Sequence, residues 1–265
     1  MKIAHEAPLS IFDKVQEVTD YDYALVHMFE ENKEYFNTFV RALENGREVI
    51  LDNSIFELGE AFEPKKYAWW VDVLRPTYYI IPDVLEDCDG TIRNFDSWME
   101  NYSHRFQNVK SIAVAQGKSY NEVVKCYEYL VDKVDKIAIS FDYSFFESWY
   151  ANMPTKYHAW CAGRQELIET MIDNKVIRTH KPHHLLGCSL PQEFKKYKKY
   201  EWIDSVDTSS PIVHGIKNIT YEPNKGLKNK ESVKLFTLMD EEVVDSWNDI
   251  IYNIKEFRGY CNVNI

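Results

Sequence analysis

"SIAVAQGKSYNEVVKCYEYLVDKVDKIAISFD", residues 111–142, holds the pattern on which the fold turns. Two short apolar runs, SIAVAQG (111–117) and KIAISFD (136–142), flank YNEVVKCYEYLVDKV (120–134), whose apolar residues recur at helical spacing. Strands that are apolar along most of their length are buried on both faces. With a helix between them they read as a parallel sheet covered by helices.

The same unit repeats along the chain. Further strand candidates are YALVHMF (23–29), EVILDNS (48–54), YYIIPDV (78–84), HHLLGCS (183–189) and WIDSVDT (202–208), with KIAHEAP at the N-terminus as the remaining one. Helical patterns lie in NKEYFNTFVRALENG, where Tyr35, Phe36, Phe39, Val40 and Leu43 share a face and a glycine closes the segment, and in DEEVVDSWNDIIYNIKEF (240–257). Seven or eight such units in 265 residues predict a (β/α)8 TIM-type barrel rather than an open doubly wound sheet. No low-complexity linker or composition break interrupts residues 1–265, so a single domain is expected.

Two stretches depart from plain alternation. Residues 143–182 are longer than one crossover helix needs, and 141–160 hold eight aromatic residues. They read either as a helical insertion with its own small core or as a lid whose rings stack on a planar ligand. Residues 181–234 carry ten Lys/Arg against six Asp/Glu, on a chain whose net charge is −11. Lys195, Lys196, Lys198 and Lys199 supply much of that excess, as a solvated face or as a phosphate-binding rim. The overall charge argues against a general nucleic-acid coat protein. Five scattered cysteines without a C-x-x-C pair suggest neither a disulfide framework nor a zinc site. The segment MKIAHEAPLS lacks the apolar run of a signal peptide, and no stretch approaches a membrane span. The expectation is a soluble cytoplasmic protein without a membrane partner, in the host cytoplasm if the source is a phage.

Chemistry in such barrels sits at the C-terminal ends of the strands. That rule gathers Asp52, Asn53, Ser54, Asp83, Gln116, Gly117, Ser140, Asp142, Gly187, Cys188, Ser189 and Asp207 at one mouth. One strand-end Asp is often a helix cap, but four with an amide beside them call for another explanation. The HKPHH cluster reads differently: His183 and His184 are taken to precede their strand and to lie at the opposite, structural end, and no metal is expected. There is no G-x-S-x-G elbow, P-loop or G-x-G-x-x-G after a strand, so no cofactor is expected either.

Together VILDNSIFELG, YYIIPDVLEDC, VAQGKSYNEVV, KPHHLLGCSLPQEF and WIDSVDTSSP resemble, in order, the barrel of tRNA-guanine transglycosylases and of the related DNA-acting 7-deazaguanine transglycosylases of phages and bacteria. The resemblance covers about residues 48–215. It implies Asp207 as nucleophile, Asp52 as general acid/base, and Asp83 with Gln116 as the pair that reads the base. The remaining strand-end residues, Asn53, Ser54, Gly117, Ser140, Asp142, Gly187 and Ser189, then belong to the substrate site. The chain departs from the pattern in three places. Asp52-Asn53-Ser54-Ile55 stands where the family has Asp-Ser-Gly-Gly, the zinc subdomain after the nucleophile is missing, and ISFDY replaces glycines that cradle the base.

The implied reaction is a double displacement. One carboxylate attacks C1′ and forms a covalent glycosyl-enzyme while another moves the proton of the leaving and incoming base. A guanine-type base offers N1–H and an exocyclic amine to Asp83, and Gln116 can donate to O6. The expected partners are a free 7-deazaguanine-type base and a nucleic acid, DNA rather than tRNA, because the zinc subdomain is missing. Two alternatives stand beside this reading. One is another glycosyl-bond enzyme using Asp52 and Asp207 on a small metabolite, and the other is a catalytically idle barrel kept for binding.

Overall fold

Eight parallel strands form one sheet in the order β1-β8-β7-β6-β5-β4-β3-β2. They are β1 (Lys2–His5), β2 (Asp22–Leu25), β3 (Val49–Asp52), β4 (Tyr78–Ile80), β5 (Lys110–Ala115), β6 (Lys136–Ile139), β7 (His183–Leu185) and β8 (Ile203–Thr208). Helices connect successive strands around the outside, which makes this computed structural model a (β/α)8 TIM-type barrel. It describes residues 1–231, 233, 235–238 and 246–263.

The strands are shorter than their apolar runs, because each run includes the turn that follows the strand. YALVHMF divides into β2 and a short helix, Val26–Glu31. Val26, His27, Met28 and Phe29 are all buried. A short run buried on every side has no period that separates strand from helix. Helix Lys33–Glu44 begins where the Asn32 side chain accepts from the N–H groups of Glu34 and Tyr35. Ser119 caps helix Tyr120–Leu130 in the same way. The last helix is Trp247–Cys261, and residues 240–245 of its expected span lie outside the described residues.

At the seam between β1 and β2, side chains replace the regular ladder. Ile3 N–H donates to Asp20 Oδ2 (2.8 Å) and His5 N–H to Thr19 Oγ1 (2.9 Å), while Thr19 Oγ1 donates to Ile3 O (2.9 Å). Buried backbone groups are thereby satisfied where strand pairing stops.

The segment after β6 contains helices Phe145–Trp149 and Lys156–Asp173. Its aromatics divide between two tasks. Tyr143, Phe145 and Phe146 are buried as part of the main core, and Gly163 fits against them so closely that an added Cβ would stand 2.2 Å from the Phe146 ring. Phe141, Tyr157 and Trp160 face the cavity at the barrel mouth.

Arg164 fastens this segment to the barrel. Its guanidinium pairs with Glu193 (2.6 Å), both side chains wholly buried, and donates to the carbonyls of Leu186 (2.8 Å) and Gly187 (3.0 Å). Removing one member of a buried ion pair leaves an uncompensated charge. Arg164→Met should therefore lower stability by about 3–5 kcal/mol in urea unfolding. A loss below about 1 kcal/mol would show that the pair is not needed.

Candidate active site

Successive strand residues point to opposite faces, so Ser205 and Asp207 of β8 share one face. β7 pairs with β8 so that His184 stands opposite Ser205. Asp207 Oδ1 accepts from Gly187 N–H (3.1 Å) and lies 3.0 Å from His184 Nε2. Oδ2 has no hydrogen-bond partner among the described residues, and Asp207 lines the cavity. One oxygen is fixed and the other is left for chemistry.

This geometry corrects the reading of HKPHH. His183 and His184 do not precede β7; they are its first two residues. His184 is fully buried and reaches the Asp207 carboxylate directly. A residue near the start of a strand can still turn its side chain into the barrel interior, where His184 meets β8 opposite Ser205.

Gly187 has a left-handed backbone (φ 63°), and a Cβ there would meet the Phe141 ring at 2.6 Å. A side chain would strain the turn that presents its N–H to Asp207.

Asp52 ends β3 on the cavity wall. Its Oδ1 accepts from Ser54 N–H (2.6 Å) and its Oδ2 accepts from the Tyr23 hydroxyl. Burial and the neighbouring Glu57 carboxylate push its pKa up to about 8, against the lowering effect of these two hydrogen bonds. Around neutrality it therefore carries a proton, as a general acid must. Ser54 takes the left-handed conformation (φ 61°, ψ 23°) without a glycine. The tight turn thus survives the Asp-Asn-Ser-Ile sequence, at a conformational cost of about 1–2 kcal/mol.

Asp83 is buried and accepts from Asn53 Nδ2 (2.8 Å) and Gln116 Nε2 (2.7 Å). Burial raises its pKa, and the two amide donors only partly offset that. Gln116 Oε1 is itself taken by Glu86 N–H (3.0 Å). At the neighbouring strand end Ser140 Oγ donates to Asp142 Oδ1 (2.6 Å), while burial raises the Asp142 pKa.

The cavity encloses about 240 Å³. That is below the roughly 300–1,000 Å³ of typical small-molecule sites, so it takes one compact group rather than a length of polymer. Of the expected residues, Asp52, Asp83, Gln116, Ser140, Asp142, Gly187, Cys188 and Asp207 line it. Asn53, Ser54, Gly117 and Ser189 do not. Asn53 and Ser54 support Asp83 and the Asp52 turn from behind, and Ser189 Oγ donates to Tyr157 O (2.7 Å). Gly117 lets its loop approach helix Tyr120–Leu130, where a Cβ would stand 2.6 Å from Val123 N.

The four lysines are not a rim of this cavity. Lys195 reaches Asn224 O and lies over the Tyr260 ring (4.6 Å), Lys196 pairs with Glu169 (3.8 Å), and Lys199 lies over the Tyr200 ring (4.8 Å). Lys198 is exposed. Their segment, Pro191–Lys199, packs on the outer helices and runs back toward the start of β8, so closeness in sequence to Asp207 is not closeness in space.

Other residues supply what the lysines do not. Glu6 follows β1 at the mouth; burial first, then the Asp207, Glu57 and Asp52 carboxylates, raises its pKa strongly. The strand-end rule would have found it had it been applied to the first strand. Lys230 donates to Cys188 O (2.6 Å) and stands over the Phe141 ring (4.5 Å), and Lys156 stands over the Trp160 ring (4.8 Å). Lys230 follows an irregular stretch with no sequence period to place it.

Fold and cavity define the class: a (β/α)8 barrel with a carboxylate-lined cavity at the C-terminal mouth. No family model matches the chain, and no curated protein matches it either. Among the described residues no group of three or more His, Cys, Asp and Glu side chains could hold a metal ion, and no helix is long and apolar enough to cross a membrane.

The raised Asp52 pKa has a consequence for stability. The folded state binds this proton more tightly than the unfolded chain, whose carboxyls titrate near pH 4. The contribution is complete below about pH 4 and is lost as pH rises through about 8. Urea midpoints should therefore fall between about pH 5 and about pH 9, and fall less in Asp52→Asn. Identical pH dependence in the two proteins would contradict the assignment.

Proposed function

We propose that this chain exchanges the base on an N-glycosidic bond through a covalent Asp207 intermediate, replacing guanine with a 7-deazaguanine-type base in nucleic acid. One observation carries the reading. Asp207 has one oxygen anchored by His184 and Gly187 and the other free in a cavity that also contains the protonated Asp52. Motif resemblance to the tRNA-guanine transglycosylase superfamily supports the same roles.

In the first step Asp207 Oδ2 attacks C1′ and the bond from C1′ to the base breaks. The bonding pair leaves with the base, which takes the Asp52 proton. In the second step the incoming base gives a proton to Asp52, attacks C1′ and releases Asp207. Asp83 retains acceptor capacity beyond its two amide bonds, since a carboxylate has about four lone-pair sites. Those sites suit the adjacent N1–H and amine of a guanine. Gln116 Nε2 keeps one N–H for O6, while its other contacts hold it in place.

A cavity of this size takes one extruded base, and Phe141, Tyr157 and Trp160 offer faces on which it can stack. DNA is the proposed polymer, because the sequence that follows Asp207 lacks the cysteine pattern of the zinc subdomain found in the resembled tRNA-acting family. A second reading has its own support. Among the described residues seven acidic side chains (Glu6, Asp52, Glu57, Asp83, Asp142, Asp207 and Glu231) and two lysines line the cavity. Even with Asp52 protonated and the Glu6 pKa strongly raised, acidic groups outnumber the lysines, which favours an uncharged nucleoside or another small glycoside over a polyanion.

Exchange of labelled guanine into plasmid DNA, bulk tRNA and deoxyguanosine, side by side at low salt, separates these readings. Incorporation into DNA is expected. Incorporation into tRNA alone would overturn the choice of polymer, incorporation into deoxyguanosine alone would select the second reading, and incorporation into none would overturn base exchange. Asp207→Asn should remain folded and incorporate nothing. Asp83→Ala should lose roughly 10²-fold in exchange rate, since the donors of a buried base lose their acceptor. Wild-type rates in either variant would remove that residue from its role.

A further inference from the structure

A line of buried polar side chains runs from the lower end of the barrel to Asp207. Lys136, at the start of β6, is wholly buried; its Nζ donates to Asp204 Oδ2 (2.6 Å) and to Ser205 Oγ (3.1 Å) and stands 4.2 Å from the Tyr78 ring centroid. Ser205 Oγ lies 2.9 Å from His184 Nδ1, and His184 Nε2 lies 3.0 Å from Asp207 Oδ1. Ser205 and His184 are buried as completely as Lys136. The Tyr23 ring stacks on His184 at 6.0 Å and sends its hydroxyl to Asp52.

Elementary donor counting gives this line a direction. An ammonium can only donate, so Ser205 Oγ accepts from Lys136 and has its own proton for His184 Nδ1. His184 Nδ1 is then an acceptor, and the ring proton sits on Nε2, facing a carboxylate oxygen that only accepts. The opposite tautomer would set a nitrogen lone pair against Oδ1 at 3.0 Å.

We propose that Lys136, Ser205 and His184 form a positioning relay that fixes the Nε2–H tautomer of His184, anchors Asp207 Oδ1 and leaves Oδ2 as the reacting oxygen. None of the three is a catalytic residue. The relay rests on the reading of Asp207 as nucleophile for its purpose, but not for its hydrogen-bond direction. Burial and the Lys136 charge lower the His184 pKa against the raising effect of Asp207, which agrees with a neutral ring. Burial works against the charge of Asp204, yet the Lys136 ammonium outweighs it and holds that carboxyl below its usual range.

The test is long-range proton–nitrogen NMR of the imidazoles in the 15N-labelled full chain. The His184 signal is identified by its absence in His184→Gln or, if that variant does not fold, by its shift in Asp207→Asn. Near pH 7 the expected spectrum has Nε2 protonated and Nδ1 unprotonated. Lys136→Met should produce a mixture of tautomers; Ser205→Ala, which deletes the donor to Nδ1, serves if Lys136→Met does not fold. A wild-type ring protonated at Nδ1, or at both nitrogens, would overturn the relay. So would an unchanged tautomer in whichever of these two variants folds. With an active substrate, the variant should form the covalent intermediate about tenfold more slowly, at an unchanged KM for the free base. Absence of any intermediate in the wild type would count against the proposed function and leave the tautomer result standing.

Discussion

The structure at the barrel mouth depends on how one carboxylate is held where water is scarce. A buried carboxylate without partners is costly, and one with every lone pair satisfied is inert. Asp207 lies between these limits. His184 and the Gly187 amide hold Oδ1, and the cavity is left to Oδ2. The division relies on a left-handed turn at Gly187, whose carbonyl is bonded by Arg164, itself neutralised by Glu193. A buried ion pair on the outer layer thus supports the position of a single N–H at the centre.

The other carboxylates of the cavity differ by environment. Asp52, buried and crowded by Glu57 and only partly relieved by Tyr23 and the Ser54 amide, retains its proton near neutrality. Asp83 is encircled by amides and offers acceptor sites of fixed orientation. Like side chains in unlike surroundings can therefore take the roles of acid, nucleophile and base reader. Among the described residues acidic side chains also outnumber lysines in the lining, which leaves a polyanion little to gain there.

Much of this was legible in the sequence, and for a physical reason. Parallel strands buried on both faces leave near-continuous apolar runs, and helices between them leave a 3.6-residue period, so the eight-strand barrel follows from patterning. The strand-end rule then brought Asp52, Asp83, Gln116, Asp142 and Asp207 to one cavity. It does not reach side chains whose direction is set inside a strand or turn. His184 is the second residue of β7 and turns into the barrel interior toward β8, and Asn53, Ser54 and Ser189 turn into the wall behind the cavity. Of the two readings of the lysines at 195–199, the solvated face fits and the rim of this cavity does not, because their crossover runs back along the outside of the barrel. Patterns report which residues are buried, whereas three-dimensional proximity across the mouth is set by loop geometry that has no period.

The most direct test of the central claim is mass spectrometry of the acid-quenched wild-type protein after incubation with guanine-containing DNA, tRNA or deoxyguanosine, followed by peptide mapping. A mass increase of one deoxyribosyl or ribosyl unit, or of the attached strand, located on the peptide that contains Asp207 is the predicted result. An adduct on any other residue, or none with all three substrates, would contradict the account of Asp207 as nucleophile.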